Sequence, residues 1–271
     1  MRRRLCKIML ASRRRSKKQR ASMLQPARTL RAIMTIAMRA KPKVPEPPAL
    51  DTFALLSMRW AEGLTAELRR RVVTETTVRR VQSGRFACRK GEPVENWIGV
   101  IEGLVKLSSG SREGKTISFT GIPAGGWFGE GSLLKSEPRR YDAVALRDSV
   151  VAYMPRDTFT LLLDSSVAFN RFLLTQLNER LGQFIAMVEH DRLLGPEGRL
   201  ATELAALFNP HLYPGNRSTL RISQEELAHL VGLSRQRVNK ALKRLVEDRL
   251  VRVDYRDVTI LDLERLRRYE G

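Results

Sequence analysis

ISQEELAHLVGLSRQRVNKALKRL, residues 222–245, decides how the rest of the chain is read. Ser223 followed three residues later by Glu226 is a capping-box pattern, which opens a short helix running to about Val231. Gly232 permits a tight turn, and Ser234 can cap a second helix. At ~100° per residue, with Arg235 at zero, Gln236, Asn239, Lys240 and Lys243 share one face of that helix. Val238, Ala241, Leu242, Leu245 and Val246 are assigned to the opposite, core-facing arc. A run of basic residues most often marks a solvated face. Here Gln and Asn stand beside Arg near the start of the helix, and such forked or long polar ends suit base edges in the major groove. Lys243, Arg244 and the caps Ser223 and Ser234 suit phosphates.

The flanking segments extend this reading. VRVDYRDVTIL, 251–261, alternates around a polar DYRD turn, so it reads as a hairpin wing and completes a winged helix-turn-helix. Asp262 opens a short terminal helix. Upstream, Asn170, Leu174, Leu177, Leu181, Phe184, Val188 and Asp191 recur at spacings of four and three, an a/d seam over three heptads. Phe172, Leu173 and Ile185 are read as a second stripe that packs on the chain's own strands, which leaves the seam for a parallel second copy. Gly195-Pro196 breaks this helix. From Val78 to Met154 come short β-type segments (VRRV, WIGVIEGLVKL, TISFTGI, DAVAL, SVVAYM) with glycine at close intervals, the pattern of a small antiparallel barrel or roll. Ahead of them a helical pattern runs from Leu50 to Arg71, with Leu64, Leu68 and Val72 four apart and Thr65 as a cap. The expected fold is α+β: a β-roll over 50–164, a dimerisation helix over 165–194 and a winged domain over 195–271.

Charge and cysteine count bound the function. The 271 residues carry a formal charge of +20 and are 42% hydrophobic, enough for a full core. Residues 1–45 hold fifteen Lys and Arg and no acid, leaving 34 basic against 29 acidic residues beyond them, so the folded part is only mildly basic. The stretch 1–49 is read as a disordered extension or as sequence ahead of the true start, with a nucleic-acid arm or a transit peptide as alternatives, and KPKVPEPP as a linker. Cys6 and Cys88 are too few for a disulfide framework or an iron–sulfur cluster, and a reducing cytoplasm fits. His190, His211 and His229 are too scattered for metal or haem ligation. No stretch reaches the ~20 apolar residues of a spanning helix. The absence of a Ser/His/Asp order or a Walker loop makes an enzyme the least supported reading.

With this order of parts the chain resembles the Crp/Fnr family of bacterial transcription regulators over about residues 50–261. The likeness rests on a glycine-rich roll containing Gly129-Glu130 with Arg about ten residues later, the long helix, and SRQRVNKAL in a winged domain. The resemblance implies a cyclic-nucleotide-binding-like jelly roll and a cytoplasmic homodimer on a two-fold-related DNA site, in contact with RNA polymerase. It also implies base reading by an Arg-Glu pair with a further Arg five residues after the first. Arg235, Gln236 and Lys240 stand at those positions, with Arg237 between. Glu accepts from cytosine and Gln prefers adenine, so the operator is expected to depart from the best-known half-site. The alternative is a regulatory or scaffolding module acting through protein contacts.

The resemblance also marks an effector pocket at Gly129, Glu130, Gly131, Ser132, Arg139 or Arg140, Tyr141 and Phe184. In cyclic-nucleotide-binding relatives the Glu takes a ribose hydroxyl and Arg-Ser grips the phosphate. Aligning Arg140 puts Tyr141 in the place of the small hydroxyl residue and sets Asp142 beside the phosphate, where like charge is repulsive. The positions that would read adenine are Phe184 and Ile185, which lack side-chain donors. The expectation is that cyclic AMP is not the effector and that Tyr141 and Phe184 fill the pocket or line it for something less polar. An inherited salt-bridge network is the bland reading of Glu130 and the two arginines. Cys88 is read as structural before redox-active.

Overall fold

The computed structural model describes Leu55 and residues 58–110, 116–214, 218–255 and 257–271, without the side chains of residues 190–193. The basic extension, the side chains of His190 and Asp191, and Arg256 of the wing turn lie outside these. Two four-stranded antiparallel sheets form the roll. One has the order β1 (Thr77–Val81), β8 (Ser149–Pro155), β3 (Asn96–Glu102), β6 (Trp127–Phe128); the other has β2 (Phe86–Cys88), β7 (Asp142–Ala145), β4 (Leu104–Gly110), β5 (Thr116–Pro123).

β3 and β8 read as nearly continuous apolar runs because both of their faces are covered. The period of two sorts their side chains. Trp97, Val150, Ala152 and Met154 face the helices, where Trp60, Trp127, Phe159 and Phe169 complete an aromatic cluster; Ile98, Val100, Val151 and Tyr153 face the second sheet. Trp97 lies 4.4 Å from Trp127 and meets Phe169 edge-on at 5.6 Å between centroids. Such pairs add about 0.5–1.5 kcal/mol beyond the area they bury.

The helices outside the roll are α1 (Ala66–Glu75), α2 (Glu130–Lys135), α3 (Arg156–Ser165) and the 27-residue α4 (Val167–Leu193). Thr65 Oγ1 accepts from the Leu68 amide at 3.3 Å and caps α1. Leu64 therefore precedes the helix instead of starting its face, and a 3-10 turn at Arg59–Ala61 comes before it. On α4, Phe169 and Leu173 are buried against the roll and Phe172 is half-buried. Ile185, expected with them, is 60% exposed and joins the outward face. Asn170 also leaves the expected seam, since its Nδ2 donates to the Leu163 carbonyl at 2.8 Å. Leu174, Leu181, Phe184 and Val188 are exposed and Leu177 is half-buried.

The winged domain begins with α5 (Pro196–Leu207), whose first helical position holds proline as a preset φ allows. Then come β9 (Thr219–Arg221), α6 (Gln224–Val231), α7 (Arg235–Glu247), β10 (Val251–Asp254), β11 (Asp257–Ile260) and α8 (Leu263–Arg267). The capping box at Ser223 forms in both directions: its Oγ accepts from Glu226 N at 3.2 Å, and its own amide donates to Glu226 Oε2 at 2.7 Å. Gly232 turns the chain at φ +69°, a conformation that costs a side chain. The expected hairpin is part of a three-stranded sheet, because β9 pairs with β11.

Candidate nucleic-acid interface and effector pocket

α7 is fixed from within and open on its other side. Val238, Ala241, Leu242 and Leu245 are buried among α5, α6 and the wing. Arg235, Gln236, Arg237, Asn239, Lys240 and Lys243 are exposed. Ser234 Oγ accepts from the Arg237 amide at 3.3 Å, which leaves its O–H free to donate outward. The Ser223 hydroxyl is instead committed to Glu226, both accepting and donating. Val246, assigned to the core, is 42% exposed. Eleven residues after Arg235, at ~100° each, bring it back to the Arg235 side three turns further along. Arg244, expected to meet phosphate, reaches Glu247 (3.5 Å) and Asp248 (3.4 Å), and Asp248 also accepts from Tyr269 Oη at 2.6 Å. Through Asp248 it ties α7 to the C-terminal segment, on a different flank from Asn239 and Lys243.

The start of α7 faces the roll. Ser223, Gln224 and Arg235 line a cleft of about 940 Å³ whose other wall includes Glu102, Arg147 and Asp148. Across it Arg147 Nε meets Glu226 Oε1 at 2.6 Å, and Ser118 Oγ donates to the His229 carbonyl at 2.7 Å. Leu104 and Leu146 of the roll pack in the apolar cluster of the winged domain.

At the marked pocket, Gly129 takes φ +94° directly before α2. A Cβ there would lie 2.2 Å from Arg139 Nη1, so glycine lets the guanidinium lie against the backbone. Glu130 is 3% exposed, with Oε1 3.3 Å from Arg180 Nε and Oε2 accepting from Trp97 Nε1 at 3.4 Å. The choice between the two arginines is decided by the backbone: Arg139 is 5% exposed and donates to the Asn96 carbonyl, while Arg140 lies outside on Glu137. Arg139 Nη1 is buried without a hydrogen-bond partner. Ser132 is buried and Gly131 exposed on α2.

Asp142 Oδ1 accepts from the Lys90 amide at 2.8 Å on an exposed edge. One expectation about this pocket is overturned. Tyr141 and Phe184 do not share a space: Tyr141 packs between the sheets, 6.4 Å from the Phe128 ring, and Phe184 pairs with Phe119 at 6.2 Å on a separate cleft. Burial, and then the charge of Glu130, push the Tyr141 hydroxyl well above its ordinary range. Cys88 is buried and its thiol is pushed up to about 11, mainly by desolvation, so it is uncharged at neutral pH.

Arg180 and Gln176 were missed by the sequence reading. Both donate to the Trp127 carbonyl, Gln176 at 3.3 Å, and so pin α4 to the pocket floor. The signal was present in the spacing: 169, 173, 176 and 180 form the roll-facing stripe of α4, and a Gln and an Arg on that stripe must find partners when buried. Among the described residues no group of three or more His, Cys, Asp and Glu could hold a metal, and no helix is long and apolar enough to cross a membrane.

A capped helix with a polar outer face, carried by a winged domain on a β-roll, defines a DNA-binding transcription regulator. The cyclic nucleotide-binding domain matches residues 78–166 and the Crp-like helix-turn-helix domain matches residues 198–269, together more than half of the chain. The protein belongs to the Crp/Fnr family of transcription regulators. It is 29% identical over 188 residues to the CRP-like cAMP-activated global transcriptional regulator of Mycobacterium tuberculosis, covering 68% of this chain and 84% of that protein. It is 31% identical over 172 residues to the HTH-type transcriptional regulator Cmr of the same species, covering 63% and 66%. The structure of FixK2 from Bradyrhizobium japonicum shares the fold, with a TM-score of 0.55 and 21% identity over 72% of this chain and 98% of that one.

Proposed function

We propose that the protein acts as a homodimer on a two-fold-related operator, with Arg235, Gln236, Asn239 and Lys240 reading base edges and Ser234, Arg237 and Lys243 meeting phosphates. The observation that carries this is the paired exposure of two faces: the polar side of α7, and the apolar seam of α4 at Leu174, Leu181, Phe184 and Val188. Monomers rarely leave an extended apolar stripe bare. A second copy along α4 covers it and places two reading helices about 34–36 Å apart, one turn of duplex. RNA polymerase is the further partner in this reading, checked by transcription in vitro. Replacing Arg235, Gln236, Asn239 and Lys240 by Ala is expected to remove operator binding in gel shifts at physiological salt, each lost base contact costing about 1–3 kcal/mol. Unchanged operator occupancy in that variant would defeat the proposal.

We further infer that cyclic AMP is not the effector. Arg139 Nη1 has room in its bonding for an anion, but Phe184 and Ile185 bring no donor to an adenine edge. Calorimetric titration of the purified dimer with cyclic AMP and cyclic GMP is expected to give no saturable micromolar binding; a saturable isotherm would refute this.

A further inference from the structure

We propose that the cleft between β5, α4 and the α5–α6 pair binds a small amphipathic molecule, with an apolar body and a hydrogen-bond-donating head, amine or hydroxyl, held at Glu203. The cleft measures about 920 Å³, within the ~300–1,000 Å³ common for small-molecule sites, and lies where the roll, the long helix and the winged domain meet. Its apolar walls are Ile117 and Phe119 on β5, Phe184 and Val188 on α4, and Leu230 on α6. Ile117, which is not part of the α4 seam, is 63% exposed, so covering it is favourable.

The polar lining points to the head group. Its cations are engaged: Arg180 with Glu130, Arg199 with the Val231 carbonyl at 3.1 Å, and Arg267 with Glu264 at 2.7 Å. The amides of Gln183 and Asn209 donate to the Ala206 carbonyl (3.2 Å) and to Glu179 (2.7 Å). Glu203 differs. Glu203 is half-buried, and its carboxyl takes a 3.2 Å hydrogen bond from the Gly121 amide. Burial pushes it up to about 7, with that amide as the opposing influence. A carboxyl so placed has acceptor capacity to spare. A hydroxyl satisfies it, an amine also lets it ionise with aromatic rings nearby, and above about pH 7 a ligand carboxylate meets like charge.

β5 belongs to the roll and α5 and α6 to the winged domain, so an occupant touches both. That consequence rests on the DNA-binding reading; the site itself does not. The test is calorimetry on the full chain at about pH 8, where Glu203 is ionised, with three probes of one body, naphthylethylamine, naphthylethanol and naphthylacetate. The amine and the alcohol are expected to bind saturably, and the acetate at least about tenfold more weakly. Glu203→Leu should weaken both donors about tenfold or more, Glu203→Gln should keep the alcohol and lose the preference for the amine, and Phe184→Ala should weaken all binding. Equal binding of the acetate, no binding of either donor at millimolar concentration, or unchanged affinity in both Glu203→Leu and Phe184→Ala overturns the proposal. So does binding to a monomeric Leu181→Gln variant but not to the dimer, which would mean that the second copy fills the cleft. Gel shifts without probe, on the same preparations, report separately on the DNA-binding reading.

Discussion

Single residues here do work that depends on which neighbours remove them from water. Glu203 is the clearest case, since burial raises its carboxyl to about 7 against an ordinary value near 4.5. A raised carboxyl means that the folded protein keeps a proton the unfolded chain releases. This group therefore costs no stability below about pH 4.5, lowers stability as pH climbs from there, and imposes its full penalty above about pH 7, at most roughly 3 kcal/mol. Urea unfolding is expected to show a lower midpoint at about pH 8 than at about pH 5.5, and Glu203→Gln should flatten the difference. A slope that persists in that variant would assign the effect elsewhere. Glu203 was not legible as a special residue in the sequence, and Arg180 was legible only through its place on the roll-facing stripe of α4, not through its partner. Their environments are made by Gly121 and Glu130, far away along the chain, whereas Ser223, Glu226 and Ser234 were legible because their partners lie three residues away.

Elements were readable to the extent that their pattern was local and long. The two helices of the reading head, the strands of the roll and the long α4 each show a period in the sequence that the fold uses. β9 did not, because three residues carry no period and its pairing partner lies some forty positions later. α4 also shows where a periodic reading is ambiguous: two apolar stripes lie side by side, and only the packing against the roll shows that Ile185 belongs with Leu181 and Val188 on the outward one. Arg139 and Arg140 could not be separated either, since no strand period sets the facing just after Pro138. The outward stripe has a measurable consequence. Burying a leucine stabilises by about 1.5–3 kcal/mol, and a symmetric seam buries each position twice. Leu181→Gln is therefore expected to weaken the dimer roughly 10²-fold or more, read as a concentration-dependent mass in sedimentation. A dimer of undiminished strength would place the interface elsewhere.

At the scale of the whole molecule, the winged domain is seated on the roll in a way that bears on access to DNA. Leu104 and Leu146 reach into its apolar cluster, Ser118 holds the His229 carbonyl, and Arg147 grips Glu226. Arg235, at the start of the reading helix, lines a cleft of about 940 Å³ opposite Glu102, Arg147 and Asp148 of the roll. The roll therefore stands beside that end of α7, and whether its seating limits operator binding is a question of affinity. The Arg147–Glu226 pair is the contact most open to test. Glu226 keeps its bonds to Ser223 if the guanidinium is removed, so the cap survives and the remaining charge is not stranded. Arg147 also leaves Nη2 buried without a hydrogen-bond partner, a cost of the seated state that its removal returns, so the value of the pair sets the upper bound of the effect. A charge-assisted hydrogen bond of this kind is worth about 1.5–3 kcal/mol, which shifts an equilibrium between seated and released domains by roughly 10- to 150-fold. Arg147→Ala is expected to tighten operator binding by about that factor wherever the seated state dominates, measured by anisotropy at fixed salt, with faster amide exchange in α6 as the structural sign. Faster exchange with no gain in affinity would show that seating does not limit DNA binding.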